Sequence, residues 1–203
     1  MSKLAADPTL VTLSLPVDYW DYLGWKDTLA LHGHSERQRA YADARGDRAV
    51  YTPQVVVNGV MHVLGSDHEA IEEAIAKTDG TAVPLTLPVE VSVADGNVTV
   101  NVPDAKDEHR KGEVWLCPIS KKVSVTIQRG ENHGRTLTYT NVVRRWVKLG
   151  DWNGKAASFT EPVSSLAGDH YSLKDIDHVA VLLQSGPVAK PGVMLGAATA
   201  KLH

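Results

Sequence analysis

The chain has 203 residues, 43% of them hydrophobic and 22% charged, the proportions of an ordinary globular protein with room for one large domain or two small ones. A formal net charge of −3 supplies no basic field for nucleic acid or an anionic membrane surface, and no apolar run nears the ~20 residues of a membrane-spanning helix. The single cysteine, Cys117, excludes an internal disulfide and a Cys-x-x-Cys pair within these residues.

The first ten residues, MSKLAADPTL, have no long apolar core and no small-residue cleavage site, so no signal peptide is read in the chain as written. LVTLSL, residues 10–15, is short, apolar and rich in β-formers, and Pro16 closes it; it predicts a buried strand. The stretch PVDYWDYLGWKD, residues 16–27, follows. It concentrates Tyr19, Trp20, Tyr22 and Trp25 among Asp18, Asp21 and Asp27. SERQ, residues 35–38, has the form of a capping box and predicts a helix from there to about Gly46.

QVVV and VMHVL are β-branched runs separated by Asn58-Gly59, a two-residue hairpin signal, and Pro53 stands where the first strand begins. SDHE, residues 66–69, is a second capping box. It opens a helix whose Ile71 and Ile75 lie one turn apart. After Asp79-Gly80 the character changes. TAVPLTLP has no helical period, and a domain boundary is placed there, giving residues 1–80 and 81–203.

Beyond it VEVSV, NVTVNV, GEVWLCPI, KKVSVTIQ, RTLTYTNVVRRWVKL, KAASFTE, HVAVLLQ and GVMLGAATA alternate with Gly, Asn, Asp and Pro. Short strands punctuated by turn residues predict an antiparallel β-sandwich-like domain, and hence an α+β chain. Within EVWLCPI, Cys117 reads as a buried, inert thiol.

The strings VDYWDYLGWKD, RQRAYA, YTPQVVVNG and RGENHGRTLTYTNVVR, in this order, resemble domain-of-unknown-function family 1223, a bacterial family, from residue 4 to the end. The resemblance implies a secreted or periplasmic thioredoxin-like domain with a β-rich portion appended. In that plan Pro53 matches a cis-proline. The family also implies a strand and a Cys-x-x-Cys-Pro-Pro segment before the region matching LVTLSL, and the residues given begin after them. The thioredoxin-like domain is therefore read as lacking its first strand and redox motif, and the chain as the later part of a longer product. Pro16 also stands where the family usually has His.

In the thioredoxin plan residues 16–27 leave the C-terminal end of a sheet strand, where α/β folds place their sites. Asp18, Tyr19, Trp20, Asp21, Trp25, Thr52 and Pro53 form the candidate groove. A packing role is open for each residue singly. The loop as a whole reads as functional, because its aspartates have no helix to cap before Ser35. RGENHGR, with Arg129, Glu131, Asn132 and Arg135, reads as a structured loop supported by Asn141 and Arg144, since no phosphate-cradling pattern is present. The nine histidines follow no metal-ligand spacing, and no cofactor is expected.

Two functions stay open. One is thiol–disulfide exchange, which this chain cannot run without a cysteine pair and which would need an upstream Cys-x-x-Cys. The other is a non-enzymatic module that binds a peptide or envelope protein through the aromatic loop or the β-domain. No nucleic-acid partner is expected.

Overall fold

β-branched runs and turn pairs decide most of the architecture. The computed structural model describes residues 3–79, 84–106, 110–129 and 133–203. It is α+β, with two α-helices, a few 3₁₀ turns and three antiparallel sheets among the described residues.

The N-terminal part is built from α1 (His32–Arg45), β1 (Gln54–Val57), β2 (Met61–Leu64) and α2 (His68–Asp79). Helix α1 starts a turn earlier than its sequence suggests. Leu31 is its N-cap, with no side-chain cap, because the expected cap Ser35 is inside the helix and bonded to Asp18. Gly46 closes it in the left-handed conformation, at φ 82°. Helix α2 is capped by Asp67 rather than Ser66: Asp67 Oδ1 accepts from the amide of Ala70 at 3.0 Å. Its Ile71, Ala74 and Thr78 are buried on the side facing β1 and β2. The β1–β2 hairpin turns through three residues, not two, with Val57 opposite Met61. The bond between Thr52 and Pro53 is cis, as expected.

The β-rich part contains β3 (Glu90–Ala94), β4 (Asn97–Val102), β5 (Gly112–Thr126), β6 (Thr136–Val143), β7 (Val147–Trp152), β8 (Ala157–Pro162), β9 (His178–Gln184) and β10 (Met194–Lys201). One sheet runs β3-β4-β8. The other runs β10-β9-β5-β6, with β7 also on β5. Two runs expected as separate strands, around Cys117 and around Val123, fuse into β5. The single run expected over residues 135–149 divides into β6 and β7, which share one edge of β5. Pro118 lies at that division. Its carbonyl accepts from Arg144 N–H at 2.9 Å, so its missing donor faces the gap between β6 and β7, not a continuous ladder.

The two sheets enclose the main core. Val98, Val100 and Val102 of β4 meet Val114 and Leu116 of β5 and Val181 and Leu183 of β9. Each such fully buried side chain stabilises by about 1.5–3 kcal/mol. The outer face of the larger sheet carries Trp115, Cys117, Ile119, Ala180 and Leu182; Leu13 and Leu15 of the N-terminal part cover it, beside Trp146 from the β6–β7 connection. Burial pushes the Cys117 thiol up to about 12, in keeping with an inert side chain.

Residues 10–15 are extended but are not a strand of the β1–β2 sheet. Their ladder contact is one parallel bridge, Ser14 to Val142 of β6. The hairpin turn also meets the β-rich part. Met194 N–H donates to the carbonyl of Asn58 at 2.9 Å, and a Cβ on Gly59 would lie 2.3 Å from the Gly192 carbonyl oxygen.

Candidate functional site

Three aromatic side chains and the turn before β1 come together at one end of the N-terminal part. The Trp20 ring stacks at 27° with Tyr22, centroids 6.3 Å apart, and is tilted 54° against Tyr19 at 5.7 Å. Trp20 Nε1 donates to Thr52 Oγ1 at 2.9 Å. Tyr19 OH donates to Gln38 Oε1 at 2.9 Å, and the amide of Gln38 donates to the carbonyl of Tyr51 at 2.8 Å and to Gln54 at 3.0 Å. Gln38 thus fastens the aromatic loop and the segment before Thr52–Pro53 to α1. Trp25 is half-buried and shares no hydrogen bond or ring contact with these groups.

The surface of this end is apolar. Trp20 is 46%, Tyr22 76% and Leu23 59% exposed. Contiguous exposed apolar groups with a polar border mark surfaces that take a partner. Neither backbone group of Thr52 is hydrogen-bonded among the described residues.

The aspartates have structural employment after all. Asp18 accepts from the hydroxyl of Ser35 and from Nδ1 of His32 at 2.8 Å, both in the first turn of α1. These two bonds, Ser35 first, hold its carboxyl below the usual range. Asp21 Oδ1 accepts from the amide of Asp27 at 3.3 Å. Asp27 accepts from the amide of Leu29 at 2.9 Å and from Tyr139 OH of β6 at 2.6 Å. Burial, then the Asp27 bond and charge, raise the Tyr139 phenol. None of the three carboxylates stands unengaged, which removes the argument that they lack a helix to serve.

Beside this site lies a relay with no local sequence signature. Asp47 Oδ2 accepts from His62 Nε2 at 2.9 Å, so His62 Nδ1 is free to accept from Tyr51 OH at 2.8 Å. Arg45 also binds Asp47 at 2.9 Å. That bond, then the amide of Ala49, lower the Asp47 carboxyl to about 2. The relay fixes Tyr51, the neighbour of Thr52. Among the described residues no cluster of His, Cys, Asp and Glu is placed to hold a metal ion.

The second candidate, RGENHGR, connects β5 to β6. Gly134 N–H donates to Ile127 at 2.9 Å, and Ile127 N–H donates to Arg135 at 2.9 Å. Arg129 and Arg135 are exposed there, while Glu131 and Asn132 lie outside the described residues. Asn141 and Arg144 do not support this loop. Asn141 Nδ2 donates to the carbonyl and hydroxyl of Thr12, at 3.1 and 2.9 Å. Arg144 lies over the Tyr171 ring, 4.8 Å from its centroid. Both residues point away because the edge of β6 is shared with the N-terminal run and the strand ends at Val143.

The model of a family described as a protein of unknown function (DUF1223) matches residues 1–184. No curated protein matches the chain. The crystal structure of a structural-genomics target protein from Agrobacterium tumefaciens is similar at 28% identity, with a TM-score of 0.85. That match covers 100% of this chain and 85% of the other. No described helix is long and apolar enough to cross a membrane.

Proposed function

The chain belongs to the DUF1223 family, and on that premise we propose that it is a binding module that holds an extended peptide of a partner protein, with no chemistry of its own. The observation that carries this reading is Trp20, bonded to Thr52 while its ring stays 46% exposed beside Tyr22 and Leu23. An extended peptide would pair with the open backbone of Thr52 and lay alternate side chains on the aromatic ledge.

The proposal extends to setting and origin. Residues 1–80 are a thioredoxin-like domain, a reading supported by the element order α1, β1, β2, α2. Residues 81–203 are its β-rich companion, and the protein works in the periplasm or outside the cell. A redox cysteine pair, if encoded upstream in frame, would add thiol–disulfide exchange to the same groove.

The test is selection of twelve-residue peptides against the folded chain, followed by fluorescence polarisation. Selected peptides should bind Trp20→Ala and Tyr22→Ser at least about tenfold more weakly, as expected for loss of aromatic anchors. Equal binding by wild type and both variants would move the peptide site elsewhere and remove this reading.

A further inference from the structure

The opposite face of α1 presents a different chemistry. Gly33, Arg37 and Ala40 recur one and two turns apart, away from Ser35 and Gln38. With Trp115 of β5, Trp146 and Val188 they line a cavity of about 410 Å³, within the range of small-molecule sites. Trp115 and Trp146 meet edge-on, with centroids 6.1 Å apart. The Arg37 guanidinium carbon lies over the Trp146 ring, 4.1 Å from its centroid, and the residue is only 7% exposed.

The Arg37 guanidinium is buried without an acid. Its Nη2 donates to the neutral oxygens of Tyr41, at 3.0 Å, and Gln184. Its Nε and Nη1 donate to no group among the described residues, and no carboxylate there lies within ion-pair distance. A buried cation held only by neutral acceptors and a ring face is an unusual arrangement, because burial penalises unpaired charge. Glu36, also on the rim, does not supply the missing charge. It is turned to His32 Nε2 at 3.6 Å, with its side chain 66% exposed, so water screens it while the field of Arg37 acts inside the cavity.

We infer that this cavity binds a small organic monocarboxylate, with the carboxylate on the open donors of Arg37 and the apolar body against Trp115 and Trp146. The aromatic walls and Val188 supply the apolar surface. Gln184 and Tyr41 fix the guanidinium beforehand, so little ordering is lost on binding. This site is separate from the peptide ledge, and either proposal stands or falls without the other.

Sodium acetate, phenylacetate and octanoate, with neutral phenylacetamide as control, test it by titration calorimetry and tryptophan fluorescence. Phenylacetate or octanoate should saturate one site per chain, at least about tenfold tighter than phenylacetamide, the margin expected of a charge-assisted contact. Arg37→Met should weaken that binding by about tenfold or more. Because Arg37 is buried, Val188→Glu is the companion variant. Val188 is 53% exposed at the rim, so a carboxylate there repels the ligand without disturbing the core. Its melting temperature should match the wild type while carboxylate affinity falls several-fold. The inference is overturned if none of the three carboxylates saturates, if phenylacetamide binds as tightly, or if Val188→Glu, still folded, binds as the wild type does.

Discussion

The indole N–H of Trp20 reaches the hydroxyl of Thr52 across 2.9 Å, and this one bond moors the exposed aromatic ledge to the residue before the cis proline. Thr52→Val keeps the shape of the side chain and removes the acceptor. A neutral hydrogen bond at an exposed position contributes about 0.5–1.5 kcal/mol, so global stability should fall by less than about 1 kcal/mol. The local effect should be larger. Amide exchange over residues 19–24 should quicken and the fluorescence of Trp20 should shift. Unchanged exchange in that stretch would show that the ledge is held by its other contacts.

His34 sets an acid limit on stability. It is 2% exposed, and its Nδ1 lies 2.9 Å from the carbonyl of Pro16. A carbonyl only accepts, so Nδ1 carries the proton and Nε2 is a bare, buried lone pair with no partner. Burial first, then the nearby Arg37 charge, lower the imidazole to about 4. The unfolded chain takes up a proton near pH 6.5, and the folded chain resists until about pH 4. Stability from this group is therefore complete above pH 6.5 and is lost as pH falls toward 4, by on the order of 3 kcal/mol. Urea unfolding at pH 7 and pH 4.5 should show the loss, and His34→Asn should flatten the profile across that window. An equally steep profile in the variant would assign the acid sensitivity to other groups.

Gly59 serves two ends at once. Its φ of 78° suits the hairpin turn, and its missing side chain lets the Gly192 carbonyl approach to where a Cβ would be 2.3 Å away. Gly59→Ala should therefore cost more than the about 1–2 kcal/mol of a left-handed alanine alone. The excess should come with disturbance of the loop between β9 and β10. Thermal melts give the total, and chemical shifts of residues 185–193 locate the disturbance. A loss confined to the hairpin would leave Gly59 a turn residue only.

Much of this was legible. Asn58-Gly59 marked its hairpin, and both residues take positive φ, although the turn spans three residues. Strict alternation in VEVSV and NVTVNV gave β3 and β4. What escaped depended on distant partners. Ser35 looks like a cap until Asp18, seventeen residues earlier, takes its hydroxyl. The run over residues 135–149 looks like one strand until Pro118 leaves a gap opposite it. Arg37 escaped for a different reason. Local patterning places an arginine in water, and only the sheet face behind α1 buries it against Trp146. Of the aromatic residues grouped with Thr52 and Pro53 in the candidate groove, Trp20 bonds Thr52 and Trp25 does not, and the binding of Asn141 to Thr12 had no local signature.

That last pair gives the sharpest ordering of variants. Asn141 holds φ at 52°, a conformation asparagine tolerates and alanine does not. Its carboxamide makes both bonds to Thr12, while its carbonyl accepts from Ser14 N–H at 2.8 Å. The side chain and the backbone angle thus act together to lay residues 12–14 along β6. Asn141→Gly keeps the angle and loses only the carboxamide, a cost of about 1–2 kcal/mol. Asn141→Ala loses the carboxamide and adds left-handed strain of about 1–2 kcal/mol. Glycine should therefore be the more stable replacement here, the reverse of its usual rank within a strand. Urea midpoints for the two variants give the order directly. In both, exchange at the amides of Ser14 and Val143 should quicken before the rest of β6 opens, since those amides form the bridge that Asn141 aligns. Alanine outranking glycine would mean that the chain relaxes at residue 141 and that the N-terminal run is held by Leu13 and Leu15 against the sheet instead.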